Sequence, residues 1–253
     1  MQPEMILIYI TAFIFGLIIG SFVNVLIYRI PKKENIVTKH SHCMVCEHKL
    51  GWYDLVPLFS WLFLRGRCRY CKAKLSIQYP LVEFINGAGY LLIFILCGIN
   101  ITSVCYSIAF SMLVAISVID WRTYEIPIGL NITIFVMGVI NTAVNYNNIL
   151  NYLIGMVCVS LFLLLLYMVT GGRGIGGGDI KLMVAAGLLL GWKNIILALV
   201  AGCIIGSIVH LTLMKVSNKG RVLAFGPYLS AGIVIAMLWG NRIVEWYVRI
   251  IFG

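Results

Sequence analysis

Residues 5–28 read MILIYITAFIFGLIIGSFVNVLIY, a stretch that contains no charged side chain and is followed at once by Arg29. An α-helix of about 20 apolar residues crosses the roughly 30 Å hydrocarbon core of a bilayer. The residues before the stretch, Met-Gln-Pro-Glu, are not basic, and the apolar run is longer than the roughly 7–15 residues of a signal-peptide core. The sequence therefore predicts a first transmembrane helix that is not a cleaved signal.

Seven further apolar runs follow, at residues 80–97, 101–119, 129–146, 150–170, 180–194, 195–214 and 223–240. Of the 253 residues, 61% are hydrophobic and only 11% are charged, whereas soluble domains carry roughly 25% charged residues. This composition argues against a disordered chain and against a water-soluble protein. It predicts an all-α polytopic membrane protein with about eight transmembrane helices. In the short run 180–194, a half-helix is an alternative to a full span.

Basic residues are concentrated in the loop between the first two predicted helices. Residues 29–79 hold 10 of the 19 lysines and arginines. If successive helices alternate in direction, only Lys193, Arg242 and Arg249 fall on the side opposite this loop. The positive-inside rule then places the loop in the cytoplasm. We expect the ten basic residues of this loop, against three acidic ones, to attract anionic membrane lipid, and we expect no nucleic-acid partner.

Four of the eight cysteines lie in this loop as two Cys-x-x-Cys pairs, Cys43 with Cys46 and Cys68 with Cys71. Together the pairs supply four thiolates, a complete tetrahedral shell for zinc. Four protein ligands leave no open coordination position, so the expected role of the zinc is structural: metal binding would supply folding energy to a polar loop without a core. Two disulfides are the alternative, which a reducing cytoplasm disfavours.

Two aspartates lie at the ends of apolar runs. Asp120 follows the run 101–119, and Asp179 ends the segment GGRGIGGGD at residues 171–179. Two predicted helices separate them, so both return to the same, cytoplasmic, membrane face. Two carboxyl groups held close together share a proton, so that one can activate water as a general base while the other polarises a scissile carbonyl. The alternative is that each aspartate only caps a helix end.

Several motifs, in chain order, resemble those of type IV prepilin peptidases, the membrane aspartic endopeptidases also called prepilin leader peptidase/N-methyltransferases. Besides the two cysteine pairs, the resemblance rests on GSFVNVLIYRIP at 20–31, YPLVE at 79–83, Gly-x-Gly-Asp at 176–179 and FGP at 225–227. Gly-x-Gly-Asp alone is shared with presenilin-like intramembrane proteases. The ordered set is much more specific.

The resemblance implies an enzyme of the bacterial cytoplasmic (inner) membrane that cleaves the leader peptide of type IV prepilins and pseudopilins at the cytoplasmic membrane face. It also implies N-methylation of the new N-terminal residue with S-adenosylmethionine, because the tetracysteine loop is typical of the bifunctional bacterial members. Asp120 and Asp179 stand where the family's catalytic aspartates lie. Two alternatives remain: a peptidase without the methyltransferase activity, and a zinc-containing transporter or scaffold in which the aspartates form a proton or cation path.

Three parts are expected: a first transmembrane helix at 1–28, a methyltransferase-associated zinc-binding loop at 29–79, and a transmembrane aspartic peptidase core at 80–253. No classical nucleotide-binding motif marks the methyl-donor site, for which Glu83 is the candidate residue. Substrate-contacting or supporting roles are expected for Gly176, Gly178, Lys181, Asn24 and Arg29. For Asn24 and Arg29, simple helix packing and an arginine that extends to the membrane interface are the alternative.

Overall fold

The computed structural model describes residues 3–36, 40–172, 174–216 and 224–252. Within these ranges the regular elements are helices, joined by turns and by two isolated antiparallel bridges in the cysteine loop. The chain divides into two compact units, Met1–Gly98 and Ile99–Gly253.

The first unit contains two long helices, α1 (Pro3–Arg29) and α3 (Gln78–Cys97), and a five-residue helix, α2 (Phe59–Phe63), in the loop between them. The glycines of α1 face α3 at very short range. A Cβ atom on Gly16 would lie 2.7 Å from Gly87 Cα, and one on Gly20 would lie 2.8 Å from Glu83 Cα. Small residues four apart allow this close approach, which an alanine would prevent. Helix α3 thus packs along α1, although the sequence assigned residues 80–253 to one peptidase core. Those functional boundaries remain a prediction.

The second unit is built from six helices: α4 (Ile101–Thr123), α5 (Ile128–Val144), α6 (Ile149–Thr170), α7 (Gly177–Leu190), α8 (Trp192–Val216) and α9 (Gly226–Phe252). Helix α7 lies in the interior of this unit. It packs against α5 and α6, and its residues Leu182, Met183 and Leu189 are fully buried. A helix that is apolar on nearly all sides is expected at such a position.

Helices α5 and α7 run side by side and are tied together at their C-terminal ends. The Asn141 amide donates to the Leu189 carbonyl at 3.0 Å, and the Thr142 hydroxyl donates to the Leu188 carbonyl at 3.2 Å. At the opposite end, Ile126 lies against Gly178, where a glycine Cβ would come within 3.0 Å of the isoleucine Cβ. These contacts fix the position of the N-terminus of α7 relative to the segment that leads into α5.

Each of the eight predicted apolar runs coincides with a long helix. The predicted border between residues 194 and 195 is displaced, because the chain turns at Gly191 with φ of 81°. Six of the helices (α1, α3, α4, α6, α8 and α9) contain stretches long and apolar enough to cross a membrane. Helix α5, with 17 residues, is about 26 Å long, and α7, with 14, is about 21 Å long. The count of eight spans therefore stays a prediction.

Candidate active site and metal cluster

Asp120 lies in the last turn of α4, which ends where Tyr124 adopts a left-handed conformation. Its side chain is 5% exposed, and its Oδ2 accepts a hydrogen bond from the backbone N–H of Gly226 at 2.9 Å. Gly226 begins α9. The carboxylate therefore faces the positive end of a helix dipole, which stabilises negative charge.

Asp179 lies in the first turn of α7 and is 7% exposed. Its Oδ2 accepts a hydrogen bond at 3.1 Å from the backbone N–H of Gly176, the residue that precedes the helix. This is the capping role that the sequence left open for Asp179. It accounts for one oxygen of the carboxylate; within the described residues, Oδ1 of neither Asp179 nor Asp120 has a hydrogen-bond partner.

The two aspartates are within electrostatic reach of each other. Asp179 lies outside the six candidate spans, and burial raises the pKa of its carboxyl group. The Gly176 hydrogen bond lowers this pKa and the charge of Asp120 raises it further, to a final value of about 6. The charge of Asp120 therefore acts on Asp179, although the two residues are far apart in sequence.

Glycines make the close approaches around both carboxyl groups possible. A Cβ atom on Gly226 would lie 2.7 Å from Asp120 Oδ2, and one on Gly178 would press against Ile126. Gly177, between Gly176 and Gly178, faces open space. Lys181 is exposed on α7, and Arg173 lies outside the described residues.

Reasoning from the sequence missed one residue of this site, Gly226, and one buried asparagine of the same unit, Asn131. Gly226 was noted only as part of the motif FGP, although its N–H holds Asp120; the motif itself was the available signal. Asn131, one turn into α5, is 3% exposed, and neither its amide nitrogen nor its amide oxygen has a partner among the described residues. A single asparagine in an apolar run does not by itself predict a buried side chain without hydrogen-bond partners.

The four loop cysteines form one cluster in the first unit. The sulfur atoms of Cys43, Cys46, Cys68 and Cys71 all lie within 4.8 Å of one another, and those of Cys43 and Cys71 are 3.8 Å apart. Tetrahedral zinc with Zn–S bonds of about 2.3 Å separates its sulfur ligands by about 3.8 Å. No disulfide joins any of the eight cysteines in the structure, and the spacing of the four sulfur atoms fits a structural zinc site.

The two cysteine pairs fold as near copies of each other. The N–H of Cys43 donates to the His48 carbonyl and that of Cys68 to the Ala73 carbonyl, each spanning five residues. Burial alone would raise the pKa of the Cys43 thiol, but hydrogen bonds from the N–H groups of Cys46 and Val45 and from neighbouring thiols lower it to about 7. The hydrogen bond from the Ala73 N–H lowers the pKa of the Cys71 thiol, but burial and hydrogen bonds with the neighbouring thiols raise it to about 11, so the thiols of the cluster titrate together and not one by one.

The first unit also contains the other predicted site residues. Asn24 donates to the Tyr79 carbonyl at 3.1 Å, which ties the end of α1 to the start of α3. Arg29 is buried and donates to backbone carbonyls of the loop, including that of His40 at 3.3 Å. Arg29 therefore does not extend into solvent, and the expected substrate-contacting or supporting roles of both residues remain predictions. Glu83 is buried and accepts a hydrogen bond from the Leu58 N–H at 2.8 Å.

Two family models match the chain, one in each unit. Residues 14–97 match the bacterial peptidase A24 N-terminal domain, and residues 107–211 match the type IV leader peptidase family. The chain is 31% identical to a prepilin leader peptidase/N-methyltransferase of Aeromonas salmonicida (strain A449), covering 94% of this chain and 93% of the relative. A protein of the same name from Bacillus subtilis (strain 168) is 31% identical, and the match covers 95% of this chain and 98% of the relative. Another, from Pectobacterium carotovorum subsp. carotovorum, is 32% identical, and the match covers 89% of this chain and 91% of the relative. No solved structure gives a significant match.

Proposed function

The chain belongs to the type IV leader peptidase family, and we propose that it is a bifunctional prepilin leader peptidase/N-methyltransferase whose peptidase site is the aspartate pair Asp120 and Asp179. Its substrates are the precursors of type IV pilins and pseudopilins. The enzyme removes their leader peptide at the cytoplasmic face of the membrane and then methylates the amine that cleavage exposes.

In the peptide cleavage, one carboxylate of the pair accepts a proton from water as the water oxygen attacks the scissile carbonyl. The other carboxyl group, which holds the shared proton, donates a hydrogen bond to the carbonyl oxygen as negative charge develops there. The tetrahedral intermediate then collapses. The C–N bond breaks, the leader keeps the new carboxylate, and the pilin nitrogen takes up a proton to leave as an amine.

One observation carries this proposal: two buried carboxyl groups lie at two helix N-termini, close enough for the charge of one to raise the pKa of the other. Helix capping alone would use Asp179 but gives no reason for the burial of Asp120 beside it. A transport path would require carboxylates near the middle of the bilayer, whereas both of these belong to terminal turns of their helices.

Methylation uses S-adenosylmethionine, which when bound would supply an electrophilic methyl group. In the transfer, the amine gains an N–CH₃ bond and releases a proton, and the electron pair of the broken methyl–sulfur bond stays on sulfur. The chain's own contribution is to bind the donor and orient the amine. Residues 29–79, the loop that contains the cysteine cluster, are associated with this activity, and residues 80–253 with peptide cleavage.

The zinc is structural in this proposal. Cys43, Cys46, Cys68 and Cys71 would hold it with all four thiolates, so no position is left for water or substrate. The charge asymmetry supports a multi-pass protein of the inner membrane with the cysteine loop in the cytoplasm, where basic residues meet anionic lipid. Helix α5 and residues 180–190 of α7 complete a set of eight membrane segments, of which the last is too short to cross the bilayer alone. No nucleic-acid partner is expected.

The test is to incubate purified enzyme with a prepilin and S-adenosylmethionine and to measure the product by mass spectrometry. We expect loss of the leader and the gain of one methyl group. Asp120→Asn and Asp179→Asn should each abolish cleavage, while Glu125→Gln, which changes an exposed acid in the same segment, should retain it. Cleavage without methylation would select the peptidase-only alternative, and full cleavage by either aspartate variant would reject the pair.

A further inference from the structure

The first unit encloses a cavity that peptide cleavage does not use. Its volume is about 520 Å³, and it lies between the end of α1, the two cysteine turns and the start of α3. This volume is within the roughly 300–1,000 Å³ of sites that bind small organic molecules. The aspartate pair belongs to the other unit.

A buried carboxylate without a cation lines this cavity. Glu83 is 7% exposed and accepts hydrogen bonds only from uncharged groups, the Leu58 N–H and the Ser21 hydroxyl. Within the part of the chain that the structure describes, it makes no ion pair. The other lining carboxylate, that of Asp54, is paired with Arg69 at 2.7 Å. Burying a charge without a partner is costly, so Glu83 is placed to receive a positively charged ligand.

The lining cations leave Glu83 unneutralised. Arg29 directs its guanidinium to backbone carbonyls of the loop, and Arg69 is held by Asp54. Lys74 and His42 also line the cavity. The cavity thus has one carboxylate available to a cation and, on other walls, positively charged groups that suit a carboxylate on the same ligand.

Trp61 supplies a second, independent observation. It lines the cavity, and its indole nitrogen Nε1 is buried without a hydrogen-bond acceptor among the described residues. Buried indole N–H groups normally have an acceptor. A ligand that carries an aromatic base with ring nitrogens would satisfy this donor and pack against apolar and aromatic walls that include Tyr28 and Tyr79.

We propose that this cavity binds S-adenosylmethionine, with the Glu83 carboxylate facing the positive charge of the donor and the Trp61 N–H donating to its adenine. The donor combines the features that the cavity is built for: positive charge, one carboxylate and an aromatic base. The inference rests on the proposed methyltransferase function and names its binding site. Because Cys43 and Cys68 also line the cavity, the metal cluster forms part of its wall.

The experiment measures binding and not turnover. Equilibrium dialysis of radiolabelled S-adenosylmethionine against the purified full-length protein, without prepilin, gives the dissociation constant. Glu83→Gln keeps size and shape but removes the charge and should weaken binding about tenfold or more. Trp61→Phe keeps an aromatic ring but removes the donor and should weaken binding about threefold or more. Glu47→Gln, which changes an exposed acid of the same loop, is the matched control and should bind as the wild type does.

Zinc content and thermal midpoint identify any variant that does not fold. Ultraviolet cross-linking of the labelled donor to the wild-type protein provides a second measurement that needs no variant, and the modified peptide should fall within residues 21–83. Wild-type affinity in both cavity variants, or a cross-link outside these residues, overturns the binding site but leaves the methylated product intact. If the wild type neither binds the donor nor methylates a cleaved pilin, the methyltransferase function itself fails.

Discussion

Replacing Asp179 by asparagine should make the protein more stable while abolishing leader cleavage. Asp179 is buried, lies close to the charge of Asp120, and has no ion pair among the described residues. At neutral pH its negative charge therefore raises the free energy of the folded state. Asparagine has nearly the same shape, and its side-chain oxygen can still accept the hydrogen bond from the Gly176 N–H. The substitution removes the charge and little else.

The size of the effect follows from the pKa of Asp179. The value of about 6 in the folded protein exceeds the usual value of 3.8, and this difference corresponds to about 3 kcal/mol at roughly 1.36 kcal/mol per pH unit. That figure is an upper bound, because the helix dipole stabilises the charged carboxylate of Asp179 more than it would stabilise an asparagine side chain. We expect a gain of roughly 1–3 kcal/mol at pH 7, or about 2–10 °C in the unfolding midpoint of a chain of this length.

The pH dependence separates charge burial from other causes of stabilisation. Because the folded-state pKa is raised, the unfolded chain releases its proton first, and the wild type loses stability as the pH rises from about 4 to about 6. The difference in free energy of unfolding between Asp179→Asn and the wild type should be absent near pH 4, grow between about pH 4 and about pH 6, and stay constant at higher pH. Thermal unfolding in detergent, followed by tryptophan fluorescence, measures this at each pH, with Glu125→Gln as the control for an exposed acid.

A double-mutant cycle tests whether Asp120 causes part of this cost. If the two charges repel, Asp179→Asn should stabilise the Asp120→Asn protein less than it stabilises the wild type. Equal gains in both backgrounds would mean that the aspartates do not interact. An advantage of Asp179→Asn that is the same at pH 4 and pH 7, or no advantage at any pH, would refute the reasoning from charge burial.

Three further predictions follow from the packing. Cys68→Ser should lower the zinc content, measured by plasma mass spectrometry, from one ion per chain to near zero, because three thiolates leave the tetrahedral shell incomplete; unchanged zinc would contradict the assignment. Gly226→Ala should reduce cleavage at least tenfold, because the new methyl group would lie 2.7 Å from Asp120 Oδ2. Gly177→Ala is the control and should cleave normally, because residue 177 faces open space. Equal cleavage rates of the two variants in an assay with a fluorescent prepilin peptide would show that the contact is unimportant. Gly187→Ala should lower the unfolding midpoint by several degrees, because its Cβ would overlap the backbone of α6; an unchanged midpoint would mean that α6 and α7 can move apart.

Much of the fold could be predicted because membrane helices have a strong local signal. Each apolar run was visible without knowledge of its neighbours. The border between α7 and α8 was misplaced, since Leu190 and Trp192 are both apolar and only the conformation of Gly191 separates the helices. Hydropathy alone does not register a left-handed glycine inside an apolar run.

The candidate site was predictable only where a motif was present. The cysteine spacing indicated a four-sulfur cluster, which the structure forms, and the two aspartates were visible as acids at the ends of apolar runs. The environment of Glu83 could not be predicted in the same way. Its hydrogen bond comes from Leu58, which belongs to a part of the loop with no periodic pattern. The contact between Asp120 and Gly226 likewise joins residues 106 positions apart.

The choice of hydrogen-bond donors at the aspartates fits the proposed chemistry. A lysine or arginine beside either carboxylate would lower its pKa and hold it ionised, so the pair could no longer share a proton. Among the described residues, neither Asp120 nor Asp179 has such a partner, and Lys181, the closest cation in sequence to Asp179, is exposed. Each carboxylate is held instead by one backbone N–H at a helix N-terminus, a partial charge of roughly +0.5. That charge is enough to orient the carboxyl group in the protein interior and too small to prevent it from binding a proton, which is the condition that a water-activating pair requires.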